Sequence, residues 1–282
     1  MKIGCYLSIL SLTFISLSGD LLAQVGGCGT VVSVEQIALE KTINIAPSKS
    51  NESLPLMNRE LSVTIHVVRD QNGLDGITSI AIQNAIEKVN LAFSPIKLSF
   101  RICAINYITN YQFNTINSAV NESDLLVQNY SENTINLYFA TTLIDKFGSE
   151  VCGYSLMPSA GKDAVFMEKD CVNSTELIHQ FGHLFSLYHT HETIFDKELV
   201  NDIKCNVTGD KCCDTPADPY LVGLADSNCE YLGSLKDSKG QFYVPSMKNY
   251  MSFSNDICRC AFSNDQFLRI INCLLNNKKH LW

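Results

Sequence analysis

Residues 173–191, NSTELIHQFGHLFSLYHTH, constrain this chain more than any other stretch, because they hold four of its six histidines. His179 and His183 are four residues apart, so one helix presents both on one face. His189 follows six residues later, past the end of such a helix, and must fold back to join them. Three neutral imidazoles suit a tetrahedral Zn²⁺ that keeps its fourth position open. The bland alternative, two surface histidines and one core histidine, does not account for the spacing. Asn173 with Glu176 three residues on predicts a capping box at the helix start. His191 fits a supporting or surface position, since a fourth imidazole would close the site. His66 lies in a strand and reads as a satisfied polar residue.

The flanking chain predicts a mixed α/β layer. Ser62 to Val68 is β-branched and reads as a strand. Ile80, Ile82, Ala85, Ile86, Val89 and Phe93 recur at helical spacing after Thr78 and Ser79, which can cap. Leu98, Phe100 and Ile102 alternate with polar residues as in a half-buried strand. Thr134 to Ala140 is another strand. Beyond Thr190 the chain is irregular, with one clear helix near Phe267 to Leu275.

The N-terminus accounts for the cysteine content. Lys2, the apolar run Cys5 to Leu17 and Ala23 read as a signal peptide over residues 1–23. The run is too short to span a bilayer, which takes about 20 apolar residues. Export to an extracellular or periplasmic compartment suits the 12 cysteines of the chain. Residues 24–60 read as a pro-segment and linker, since Ile45 to Arg59 is rich in Ser, Asn and Pro without an apolar period. A regular domain follows over 61–282, with an upper part 61–189 and a lower part 190–282. A lipoprotein anchored through Cys28 is the weaker alternative, because Cys28 lies well past the apolar run. Ten cysteines fall at or after Cys103 and allow up to five disulfides, which leaves Cys28 over. The net charge of −8, from 21 basic and 29 acidic residues, argues against nucleic acid as a partner.

The motif HxxxHxxxxxH with a later Met resembles the metzincin zinc peptidases, and its details resemble their pappalysin-type family, in particular secreted bacterial members. The matching residues are Gly209-Asp210, Cys213-Asp214-Thr215-Pro216-Ala217-Asp218-Pro219, Asn249-Tyr250-Met251-Ser252 and Cys258-Arg259 with Phe262 and Gln266. Ile65 to Val68 and Cys152-Gly153-Tyr154 match upstream, so the likeness runs over about residues 61–273. It implies an α/β (α+β) metzincin fold: a twisted mixed sheet, two helices above the cleft and an irregular, disulfide-bonded lower half. It implies His179, His183 and His189 as zinc ligands and Met251 as an apolar floor under the metal. Thr134 to Ala140 would be the edge strand that binds a peptide or protein in extended form. Asp210, Asp214 and Thr215 would bind calcium, unless they form only a turn held by disulfides.

The chain departs from the family where protons and charge are handled. The family pattern HExxHxxGxxH has Glu where this chain has Gln180, and Glu takes a proton from the attacking water. Glutamine cannot, and losing a general base costs roughly 10²–10⁴-fold. The family Tyr that stabilises the oxyanion is here Phe253, a loss of roughly 10²–10³-fold. Ser186 replaces a Gly, at a cost of about 1–2 kcal/mol if its backbone is left-handed. All three ligands remain while both proton- and charge-handling groups are gone. The expectation is a secreted zinc-binding member of this metalloendopeptidase family with impaired or absent hydrolysis. The alternative is an active endopeptidase with a substitute base such as Glu192 or Asp214. Relatives carry a cysteine followed by Gly-Thr in the pro-segment, matched here by Cys28-Gly29-Thr30. A thiolate is a strong zinc ligand, so the expectation is that Cys28 takes the open fourth zinc position as a latency switch; the alternatives are an unpaired pro-segment thiol and the lipidated first residue of a lipoprotein.

Overall fold

The computed structural model describes residues 27–40, 53–201 and 203–282. The expected signal peptide, residues 1–23, and residues 24–26 and 41–52 of the expected pro-segment and linker lie outside these residues. The elements in chain order are α1 (Val34–Glu40), β1 (Arg59–Val68), α2 (Ser79–Phe93), β2 (Leu98–Ile108), β3 (Thr115–Asn117), α3 (Glu122–Asn129), β4 (Ile135–Ala140), β5 (Thr142–Ile144), β6 (Gly153–Ser155), β7 (Ala164–Glu168), α4 (Glu176–Leu184) and α5 (Asn264–Asn276). Among the described residues no helix is long and apolar enough to cross a membrane.

Five strands form one mixed sheet in the order β2-β1-β4-β7-β6. All neighbours are parallel except β6, which runs antiparallel to β7. This corrects the expected place of Thr134 to Ala140. That segment forms β4, the central strand, with all six residues buried. Strands β1 and β7 pair with it on either side, in parallel, so it has no free edge. The edge beside the histidines is the three-residue strand β6.

Helix α2 begins as its sequence predicts, with the Thr78 hydroxyl accepting from Ala81 N at 3.1 Å. Ile82, Ala85, Ile86, Val89 and Phe93 are buried as expected, but Ile80 in the first turn is 67% exposed. Ile80 faces solvent, while Ile77 and Ala81 on either side of it pack against the core. Helices α2, α4 and α5 cover one sheet face, where Phe93, Phe100, Phe181 and Phe185 meet edge to face or stacked. Phe113, Leu125, Tyr138, Tyr154 and Phe166 form the core of the opposite face.

The lower part is irregular, as expected, but it is not a separate body. Phe267, Ile270, Ile271 and Leu274 of α5 complete the upper core. Among the described residues the cysteines form three of the up to five disulfides allowed: Cys152–Cys171, Cys205–Cys213 and Cys229–Cys258. Cys212 and Cys273 are buried as free thiols, and Cys103 and Cys260 are exposed ones.

Candidate metal centre

Helix α4 places His179 and His183 on one face, both buried. It does not start with the expected capping box. Its N-cap is Thr175, whose side chain makes no capping bond within the helix. Instead Thr175 N and Oγ1 both donate to Asp256 Oδ1, at 2.7 and 2.5 Å, and Glu176 N donates to Ser174 Oγ. A carboxylate 81 residues downstream therefore does the capping that Asn173 was expected to do.

The helix ends at Leu184 and the chain reverses through Ser186, which sits at φ +74°. Leu187 N then donates to Gly182 O, and His189 is carried back to the helical pair. Ser186 thus holds the left-handed backbone its position requires, with its hydroxyl only 3.4 Å from Gln36 Nε2. Ser186→Gly is expected to stabilise the fold by about 0.5–1 kcal/mol, the relieved strain less glycine's own backbone entropy. A denaturant midpoint that falls instead would show the hydroxyl contact to be the larger effect.

The three imidazoles face one another through Nε2, with His183 Nε2 3.0 Å from both His179 Nε2 and His189 Nε2. The Nδ1 of His179 lies 2.7 Å from Tyr250 O, and that of His183 2.9 Å from Leu187 O. A carbonyl can only accept, so each Nδ1 carries the proton and each Nε2 offers its lone pair. Burial holds the His183 pKa down at about 4 and those of His179 and His189 well below the ordinary value. All three rings are neutral at pH 7. The fourth group is Cys28, whose Sγ lies 3.3 Å from His183 Nε2. Burial, with Glu176 nearby, pushes the thiol up to about 12 in the absence of a cation. These four donor atoms all lie within 4.8 Å of one another. Ligands at the usual zinc distances of 2.0–2.3 Å on a tetrahedron are about 3.3–3.6 Å apart, so the set fits a metal of that size.

Met251 lies beneath the helix in the turn 249–252, where Met251 N donates to Asn249 Oδ1 and Thr190 N donates to Met251 O. The same turn supplies the Tyr250 carbonyl that orients His179. The thioether fits because residue 182 is glycine: a Cβ there would collide with Met251 Sδ. Gly182→Ala is expected to cost about 1–3 kcal/mol by overpacking, read as a lower denaturant midpoint. An unchanged midpoint would mean that Met251 is free to move.

Gln180 is fully buried and held at both ends. Its Nε2 donates to Glu176 Oε1 at 2.6 Å, and its Oε1 accepts from Thr30 Oγ1 at 2.8 Å. Phe253 stands over the ligand rings, 4.7 Å from that of His189 and 6.1 Å from that of His179. His191 stacks on His189 at 5.0 Å and contacts Phe253 and Tyr220, a supporting place as expected. His66 Nε2 donates to Asn136 Oδ1 at 2.9 Å, and the ring stacks on Tyr138.

A cavity of about 160 Å³ opens beside the four donors, lined by Cys28, Glu176, Tyr220, Val222, Phe253 and Arg259. Neither Glu192 nor Asp214 reaches it. Glu192 Oε1 accepts from Thr193 N and Ile194 N, and Asp214 Oδ2 accepts from Asp265 N. The carboxylate on the cavity wall is Glu176, one helical turn before Gln180 and 3.4 Å from Arg259 Nη1. Burial raises its pKa, an effect only partly offset by Arg259 and Gln180. Glu176 was legible in the sequence as a residue at i−4 from Gln180, but only as a cap. Nothing in the sequence marks Tyr220.

Asp210 accepts from Thr215 Oγ1 at 2.9 Å and from Cys212 N at 3.0 Å, so a hydrogen-bonded turn forms there. Among the described residues the clusters able to hold a cation are the His/Cys set and Cys152, Glu168 and Cys171, the latter closed by a disulfide. The residues expected to bind calcium form no such cluster.

The N-terminal segment crosses the site along β6. Gly29 N donates to Gly153 O at 2.9 Å, Cys28 pairs with Gly153 in parallel, and Ser155 N donates to Thr30 Oγ1 at 2.8 Å. Close approach depends on Gly29, where a Cβ would lie 3.0 Å from Val151 Cγ2 and 3.1 Å from Asp145 Cβ.

A mixed sheet, a helix bearing two of three convergent histidines and a methionine turn beneath them make up a fold of the metzincin type. Residues 156–275 match the model of the family Peptidase M43, described as pregnancy-associated plasma protein-A. An extracellular metalloprotease of Arthroderma gypseum is 28% identical over 230 residues, 76% of this chain and 71% of the relative. One of Verticillium alfalfae is 26% identical over 270 residues, 86% and 87% of the two chains. Mirolysin, solved in complex with a compound, shares the fold at TM-score 0.54 and 17% identity, over 81% of this chain and 96% of its own.

Proposed function

We propose that this protein is an exported, latent zinc-binding member of its family that holds an extended peptide with hydrolysis strongly impaired or absent. The observation that carries this reading is Gln180, an amide where a proton acceptor is needed, wedged between Glu176 and Thr30. His179, His183 and His189 would hold the zinc, with Cys28 in the fourth place and Met251 below. When bound, zinc supplies Lewis acidity that polarises a peptide carbonyl and acidifies water. Gln180 Oε1 can orient a water in the place of the Thr30 hydroxyl, but an amide does not take up its proton. The Phe253 ring offers no hydrogen bond to a developing oxyanion.

The edge of β6 is the natural seat for the peptide, because residues 28–30 already bond to it in extended form and another extended strand can take their place. Contact of the Cys28 thiol with His183 favours the latency role over a lipid anchor, since a thioether-linked lipid would have to pass through the buried site. The extracellular relatives and the apolar N-terminal run support export.

A working peptidase is the second reading, and Glu176 on the cavity wall is what favours it. The test is the metal-replete full chain carrying Cys28→Ala, assayed on denatured protein and on short peptides beside its Gln180→Glu counterpart. A much slower Gln180 form supports impaired hydrolysis, and equal rates overturn it.

A further inference from the structure

Helix α1 docks through a buried polar grip that neither the metal nor hydrolysis explains. Glu40, its last residue, is 3% exposed. Its carboxylate accepts from Arg269 Nη1 at 2.9 Å, from Arg269 Nη2 at 3.0 Å and from Tyr188 OH at 2.8 Å, with Lys211 Nζ at 3.6 Å. Burial pushes the Glu40 pKa up, but Arg269 and Lys211 more than offset this and leave it below the ordinary range. Arg269 is 4% exposed as a side chain, lies over the Tyr188 ring, and donates to Ser186 O at 3.1 Å in the turn between the second and third histidines. Its Nε has no hydrogen-bond partner, so the guanidinium carries a spare buried donor. Asp210 feels the same charge, yet its oxygens are engaged by Thr215 and Cys212.

The cations therefore belong to the peptidase domain, while the anion arrives from the segment that crosses the site. A guanidinium buried without a counter-charge is strongly destabilising, so any state of the domain that lacks Glu40 needs another anion there. The bidentate fork, the ammonium and the phenol select a planar carboxylate.

We propose that Arg269, Lys211 and Tyr188 form a carboxylate-binding site of the peptidase domain, which Glu40 fills in the full chain and thereby anchors the segment bearing Cys28. The site itself stands on this geometry alone; the anchoring rests on the latency reading above.

The full chain carrying Glu40→Ala vacates the site, and acetate is the probe that fits the deleted carboxylate. The variant is expected to melt below the wild type in chloride and to recover at least half of the loss, saturably, as acetate replaces chloride at constant ionic strength and pH. The wild type and a Glu40→Ala/Arg269→Met double variant should not respond. Where Glu40→Ala does not accumulate in soluble form, its refolding yield in acetate against chloride is the same readout. An absent shift, or an equal shift in all three proteins, overturns the site. Alkylation of Cys28 in the metal-loaded variant is expected to be several-fold faster than in the wild type and to slow again in acetate. Unchanged alkylation beside an intact acetate shift overturns the anchoring and leaves the carboxylate site standing.

Discussion

Gln180→Glu, in a metal-replete chain carrying Cys28→Ala, is expected to raise kcat/KM on peptide substrates by roughly 10²–10⁴-fold, the usual contribution of a general base. Exchanging the pair, Glu176→Gln with Gln180→Glu, is expected to do better than the single change. In the native chain Gln180 Nε2 lies 2.6 Å from Glu176 Oε1. A carboxylate at position 180 would face a second carboxylate at that distance, and two such groups do not both ionise near neutral pH. The single variant therefore keeps one of the pair protonated, and its rate falls away on the acid side at a higher pH than that of the exchanged pair. With Gln at 176 the amide donates to the new carboxylate, which restores the hydrogen bond and lowers the pKa of the base. Phe253→Tyr would add an oxyanion donor, worth about 2.7–4 kcal/mol elsewhere, though not additively with the base. Full pH–rate profiles of the three proteins decide the matter. A native chain as fast as either variant, or identical profiles for the single and exchanged variants, would refute the roles given to Gln180 and Glu176.

Metal removal is expected to turn Cys28 from a protected into a reactive thiol. With the metal in place its sulfur would be a ligand beside three imidazoles and would not attack iodoacetamide. After chelation the segment is held there by burial and by its bonds to β6 and Gln180 alone, Gly29 N to Gly153 O, Ser155 N to Thr30 Oγ1 and Thr30 Oγ1 to Gln180 Oε1. Burial keeps the docked thiol protonated, with its pKa at about 12, so alkylation must proceed through an undocked segment. The chain carries its own controls. Cys103 and Cys260 are exposed and should label at the same rate in both states, and Cys212 and Cys273 are buried and should stay unlabelled in both. The expected order after chelation is Cys103 and Cys260 first, Cys28 next, and the buried pair last. Mass spectrometry that finds Cys28 labelled equally with and without metal, or bonded in a disulfide, would end the latency reading.

Local spacing made much of this molecule legible in its sequence. The pair His179 and His183 is a helical interval, the burial of Val89 and Phe93 follows the same period, and the Thr78 cap is set by neighbouring backbone. The capping box of α5, Ser263 with Gln266, is equally local. Resemblance carried the third histidine, the Met251 turn and the losses at 180 and 253. Tertiary structure alone decided the rest, because those features join residues far apart in the chain. Asp256 displaced Asn173 as the cap of α4 across 81 residues, since a charged acceptor beside Arg259 outcompetes a local amide. Residues 134–140 became a central strand because two parallel neighbours close on it, which depends on the order in which strands assemble and not on the strand itself. Cys28 meets His183 across 155 residues. Glu40 meets Arg269 across 229, a pairing that no periodicity encodes and that arises only because the docked segment must neutralise a charge the folded domain has buried.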